Sequence, residues 1–183
     1  NLTVVIIGGI ALPAYNVFRS TLDLDLCISF HNQENIDVFL GLLKKRGLKT
    51  LQKPKLHHDL FVIFGNRSEA EIWLKPCDAF DWDNEMESRI IHMSSNFHVL
   101  AIEDYILTKL ARDDRSSTDI SDIIQILIAN YKKIDWVYLH YRLKELNQRR
   151  SMKTILNEFF DLNYTENHDL LEIFNEIMKN LEL

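Results

Sequence analysis

The stretch Ile6–Ile28, IIGGIALPAYNVFRSTLDLDLCI, decides how the rest of the chain is read. Thr3 to Ile7 is a short run rich in β-branched residues and reads as a buried strand. Gly8-Gly9 turn the chain, and Ile10 to Arg19 is expected to form a short helix. Pro13 falls in its first turn, where backbone N–H groups have no intrahelical partner. Leu22 to Ser29 then alternates, with Leu22, Leu24, Leu26 and Ile28 on one side and Asp23, Asp25 and Cys27 on the other, as a half-buried strand requires.

Residues two apart on a strand share a face, so Asp23 and Asp25 are expected to present two carboxylates about 6–7 Å apart. Like charges that close repel unless they are solvated or bridged by a cation. Mg²⁺ is the natural bridge, because it is hard, prefers carboxylate oxygen and keeps coordination positions for phosphate oxygens. Gly8-Gly9, between a strand and a helix N-terminus, let the backbone approach a triphosphate and offer it N–H groups. An Asp-x-Asp alone is equally a solvated strand face. The specific signal is the whole frame: apolar-Gly-Gly, thirteen residues, then Asp-apolar-Asp-apolar.

That frame resembles the signature of the nucleotidyltransferase fold, the polymerase-β superfamily. "GGIALPAYNVFRSTLDLDL" is similar to the small prokaryotic branch related to abortive-infection, toxin–antitoxin nucleotidyltransferases, with Ala11, Arg19 and Thr21 at matching places. Downstream, "IEDYILTKLARDDRSSTDISDI" resembles that branch's helical element through Glu103, Asp104, Lys109, Arg115, Asp119 and Asp122. The resemblance implies a nucleoside triphosphate substrate and a two-metal Mg²⁺ site, with Mn²⁺ as an alternative. It also implies transfer of a nucleoside monophosphate to a hydroxyl of tRNA or protein. Asp23 and Asp25 are the expected metal ligands, and a third carboxylate is expected from a neighbouring strand. Glu71 in "AEIWLK" is the candidate, with Asp78 as rival; the family's usual residue there is aspartate. Gly8, Gly9, Arg19, Ser20 and Thr21 are expected to contact phosphates, and Lys109 to reach the triphosphate from the second half. Asp119 and Asp122 read as helix-start caps. Glu in place of Asp keeps open an alternative, a catalytically inactive binding or regulatory protein.

The remaining sequence fits an α+β chain: a mixed β-sheet with flanking helices over 1–98, then a C-terminal helical bundle over 99–183. Asn32 to Gly47 is a well-punctuated helix, with Asn32 as cap, Glu34 in the first turn, Lys44-Lys45-Arg46 at the end and Gly47 as stop. Leu48–Gln52, Leu60–Phe64 and Ala70–Lys75 read as strands, the last two joined by a hairpin-like turn at Gly65-Asn66-Arg67-Ser68. Helical periodicity covers Ile102–Arg112, Asp119–Tyr131, Trp136–Leu146, Met152–Phe160 and His168–Leu181.

A hydrophobic content of 46% supplies an ample core, and a net charge of −6 excludes a strongly basic nucleic-acid binder but not a local basic patch. Lys44-Lys45-Arg46 with Lys49, Lys53 and Lys55 is one such patch, and Arg149-Arg150 with Lys153 another; the plainer reading of both is a solvated helix end and turn. Two distant cysteines, Cys27 and Cys77, suggest neither disulfide scaffold nor nucleophile, which makes a reducing cytoplasm the expected location. No apolar run reaches the roughly 20 residues of a membrane helix. The start at Asn1 without methionine is what a chain with missing upstream sequence would show. His57-His58-Asp59 lacks a second cluster at zinc spacing, and Asp78, Asp81 and Asp83 lack the glycine and glutamate of a calcium loop.

Overall fold

The computed structural model describes residues 3–66, 68–95, 97–163 and 167–181. By compactness the chain falls into two units, one of residues 1–14 and 18–101, the other of residues 15–17 and 102–183.

The first unit is built on a mixed seven-stranded sheet, counted among the described residues. Its strands are β1 (Val4–Ile7), β2 (Asp25–Ile28), β3 (Lys49–Thr50), β4 (Leu60–Phe64), β5 (Glu69–Trp73), β6 (Ile91–His92) and β7 (His98–Val99), in the order β3-β4-β5-β2-β1-β7-β6. β2 runs antiparallel to β1 and parallel to β5, while β1 is parallel to β7. Register sorts the side chains into two faces. Ile6, Leu26, Ile72 and Phe61 lie side by side on one face, where Leu26, Ile72 and Phe61 join Ile28, Phe30 and Leu74 in a core against helix α1 (Gln33–Lys45). Ile7, Asp25, Glu71 and Val62 form the corresponding row on the opposite face.

Helix α1 starts and stops as its sequence dictates. The Asn32 side chain accepts the Asn35 N–H at 2.9 Å. Gly47 takes φ +75°, a left-handed conformation that glycine adopts without strain, and Leu48 N–H returns to the Leu43 carbonyl. Leu60–Phe64 is a strand as expected and pairs antiparallel with β5; Gly65 N–H bonds the Ser68 carbonyl across their turn, whose Arg67 lies outside the described residues.

Two expectations next to the Gly-Gly pair need correction. The segment after Gly8 is a 3-10 helix over Gly9–Tyr15, not a helix reaching Arg19. Pro13 sits inside it without an N–H to donate, and Asn16, at φ +58°, turns the chain away. The strand expected from Leu22 begins only at Asp25. Its partner β1 ends at Ile7, opposite Asp25, so Leu22 and Asp23 overhang the ladder and Leu22 is 97% exposed. A short helix α2 (Asn84–Ser88), capped by the Asp83 side chain on Met86 N–H, follows directly on the acidic run of Asp78, Asp81 and Asp83.

The second unit holds α3 (Ile102–Leu110), α4 (Ser117–Asn130), α5 (Trp136–Glu145), α6 (Arg149–Asn163) and α7 (His168–Asn180). α3 is buried along nearly its whole length and packs on α4 and α5.

Candidate nucleotide site

Asp25 and Glu71 are Cα partners across the parallel β2–β5 pair, so their side chains leave the sheet on the same face. The pairing is held by the Glu71 N–H on the Leu24 carbonyl at 3.0 Å. Asp78, five residues beyond β5, is exposed, and its carbonyl accepts from Lys75 Nζ. Glu71 is therefore the strand neighbour of Asp25.

The glycines stand directly against these groups. Gly8 has φ +61°, and a Cβ built on it would lie 1.9 Å from Asp25 Oδ2. On Gly9 a Cβ would fall 2.9 Å from the Thr21 Cβ and 3.0 Å from both terminal guanidinium nitrogens of Arg19. The backbone after β1 is thus pressed between the Asp25 carboxylate and the Arg19–Thr21 segment, a position only glycine fills. Gly8, Gly9, Arg19, Thr21, Asp25 and Glu71, drawn from three stretches of chain, come together at the end of β1. Ser20 and Asp23 are exposed in the segment leading to β2.

One participant escaped the sequence reading. Trp73 donates its indole N–H to Glu71 Oε2 at 3.1 Å. The signal was available, since Trp73 lies two residues after Glu71 on one strand and carries a donor the carboxylate can use. Cys27 and Cys77 are buried thiols, and burial raises the pKa of each, so neither is a poised nucleophile.

Among the described residues no three His, Cys, Asp or Glu side chains cluster tightly enough to cage a metal ion. Mg²⁺ does not require such a cage, because it commonly uses one or two carboxylates and completes its shell with water and substrate phosphates. Asp25 and Glu71 supply two hard carboxylates on one face of the sheet, and the absence of a side chain on Gly8 is what gives the Asp25 carboxylate its place. This donor set fits the ion.

The model of a protein family described as "Nucleotidyltransferase of unknown function (DUF6036)" matches residues 1–169. The chain belongs to this nucleotidyltransferase family. Among solved structures it is similar to an antigenic nucleotidyltransferase-like protein from Paracoccidioides brasiliensis, at 16% identity and a TM-score of 0.47, over 96% of this chain and 85% of that one. No curated protein matches it. No helix among the described residues of this nucleotidyltransferase-family chain is long and apolar enough to cross a membrane.

In the second unit of the nucleotidyltransferase-family chain, the downstream acidic and basic residues form their own network. Lys109 is buried, with Nζ 3.1 Å from Asp119 Oδ1 and 2.8 Å from Asp122 Oδ2. Asp119 also closes a capping box with Ser116 at the start of α4. Burial alone would raise its pKa, but the Ser116 N–H and hydroxyl, together with Lys109, hold it below the ordinary aspartate value. Glu103 accepts the Asp135 N–H at 2.7 Å, Asp104 accepts the Tyr138 hydroxyl at 2.8 Å, and Arg115 donates to the Leu110 carbonyl. These bonds tie α3 to the starts of α4 and α5. The Lys109 charge expected toward a triphosphate is met here by two aspartates.

Proposed function

We propose that the chain is a Mg²⁺-dependent nucleotidyltransferase that moves a nucleoside monophosphate from an NTP to an acceptor hydroxyl. The observation that supports it best is the register pairing of Asp25 with Glu71, with Gly8 held against the Asp25 carboxylate. Gly8 and Gly9 bring the backbone close to the triphosphate, and Arg19, Ser20 and Thr21 stand beside them to meet its charge. Asp25 and Glu71, with Asp23 from the preceding segment, would hold Mg²⁺, whose contribution when bound would be neutralisation of the charge that builds on the transferred phosphoryl group and its leaving group. Glu71 takes the acceptor proton as the hydroxyl oxygen bonds to the α-phosphorus, and the bond to pyrophosphate breaks. Most of the rate enhancement then comes from positioning and charge neutralisation. The resemblance to toxin-type relatives makes tRNA and protein hydroxyls the acceptors to try first.

The test incubates the protein with each labelled NTP, Mg²⁺ and either total tRNA or cell protein, and looks for label on the acceptor. Transfer by wild type but not by Asp25→Asn supports the proposal. One observation favours a second reading, a non-catalytic NTP binder: Asp23 lies outside β2, so the three carboxylates do not share one strand pair. Mg²⁺–NTP binding without transfer to any acceptor would establish that reading instead.

A further inference from the structure

Positive charge in this acidic protein is concentrated in one place. Six of its 21 Lys and Arg residues fall between Lys44 and Lys55, and no Asp or Glu occurs from Val38 to His58. All six side chains are exposed. They crowd the last turn of α1, the Gly47 stop and the short edge strand β3 with the segment after it. A groove of about 480 Å³ opens there, with Leu40, Leu43 and Leu48 on its floor and Lys44, Lys49 and Lys53 among its walls. Lys53 also makes a 3.5 Å pair with Asp37, both side chains being well exposed, an arrangement that yields readily to a stronger anion.

The position of β3 links this groove to the nucleotide site. Lys49 pairs with Phe64, and Phe64 pairs with Glu69, which lies two residues before Glu71 on β5. Lys49 therefore projects from the same sheet face as Glu71 and Asp25. At the usual strand spacing, β3 is about 10 Å from β5 and about 14 Å from β2. The groove floor of Leu40, Leu43 and Leu48 belongs to the core on the α1 side of the sheet, so a polyanion seated on Lys44 and Lys53 would pass round the β3 edge, at Lys49, to bring a terminal hydroxyl to the face that carries Glu71.

We propose that this groove binds the phosphate backbone of a single-stranded RNA segment, and that the acceptor is accordingly RNA rather than protein. The identification of the acceptor rests on the transferase reading; the binding face does not. Regularly repeated negative charge matches the run of lysines, and the leucine floor accommodates the apolar faces of a sugar or base.

The experiment measures fluorescence anisotropy of a short fluorescein-labelled RNA with the full chain at several salt concentrations, with a fluorescein-labelled glutamate-rich peptide in parallel. Three phosphate contacts to a single strand predict a slope of log Kobs against log salt of about −2. The triple variant Lys44→Glu/Lys49→Glu/Lys53→Glu should bind RNA at least tenfold more weakly, with a flatter slope, while keeping its circular dichroism spectrum and its Mg²⁺–NTP affinity. A parallel Lys→Gln triple, which adds no negative charge, should show the same direction of change. Asp25→Asn should leave RNA binding intact, so failure of the nucleotide site and failure of the groove are read separately. Equal RNA binding by wild type and both triple variants, or tighter capture of the acidic peptide than of RNA, overturns the proposal.

Discussion

The Asp25 carboxylate occupies the space that a side chain on Gly8 would need: a Cβ there would lie 1.9 Å from Oδ2, 2.8 Å from Cγ and 3.0 Å from the Asp25 Cβ. The carboxyl contacts matter most, because 1.9 and 2.8 Å are closer than real Cβ contacts come, and the carboxyl group hangs from an Asp25 Cβ fixed by the β1–β2 ladder. The Gly-Gly pair and the second aspartate of Asp-x-Asp are therefore one packed unit. Thirteen residues separate the pairs in sequence, and the antiparallel register brings Asp25 opposite Ile7, next to Gly8.

Gly47 provides the control for a substitution here. It also has positive φ, at +75°, but a Cβ on it meets nothing within 4 Å. Gly47→Ala should cost only the backbone strain, about 1–2 kcal/mol. Gly8→Ala adds overpacking against β2 and should cost about 1–3 kcal/mol more, read as the difference in urea unfolding. Because the clash is with Asp25, the double variant Gly8→Ala/Asp25→Ala should lose less than the sum of the two singles. Additive losses would show that Asp25 is not what Gly8 makes room for.

Trp73 reports on Glu71. Its indole donates to Glu71 Oε2 at 3.1 Å, so an ion taking that oxygen removes or reorients the bond. Titration of the wild type with Mg²⁺ and a non-hydrolysable NTP should change tryptophan emission. Trp73→Phe should abolish the change although Trp82 and Trp136 remain. A response that persists in Trp73→Phe would assign it to another tryptophan and detach Glu71 from the ion.

Glu71→Gln should separate binding from chemistry. Gln keeps the size and an oxygen for the Trp73 donor but cannot accept the acceptor proton. Mg²⁺–NTP affinity should fall modestly, since Asp25 remains, while transfer should fall by about 10²–10⁴, the usual range for a general base. Transfer at the wild-type rate would remove Glu71 from the proton path.

The elements that sequence reasoning located best carry their own punctuation. α1 has Asn32 at one end and Gly47 at the other, and both act in the structure as their chemistry requires. β4 and β5 alternate over five residues each, enough for a period of two to be seen. β6 and β7 span two residues apiece, too short for any period, and are strands only because β1 offers an edge. Leu22–Asp23 failed differently. The alternation there is real, but a strand needs a partner, and β1 had already turned at Gly8. At the site, the glycines and aspartates were legible as a pattern of types and spacings. The Trp73–Glu71 bond and the pairing of Lys109 with residues ten and thirteen positions downstream depend on how strands and helices pack.

That last pairing gives a prediction for the helical unit. Asp122 is fully buried beside Lys109, so Lys109→Met leaves carboxylates without their cation and should destabilise the unit by about 3–5 kcal/mol. The pH dependence has a definite sign. The Asp119 pKa is lowered in the folded chain, against burial, by Ser116 and Lys109, whereas an unfolded aspartate titrates near about 3.9. The unfolded state therefore binds the proton first, so this group's contribution is complete above that value and is lost as pH falls below it. Helix content followed at 222 nm in urea should show wild-type stability holding from neutral pH to about pH 5 and falling below about pH 4. Asp119→Asn keeps a capping side chain but cannot titrate, so it should start weaker at pH 7 and lose less on acidification, the two curves converging at low pH. Parallel curves for wild type and Asp119→Asn would mean that another carboxylate sets the acid limit.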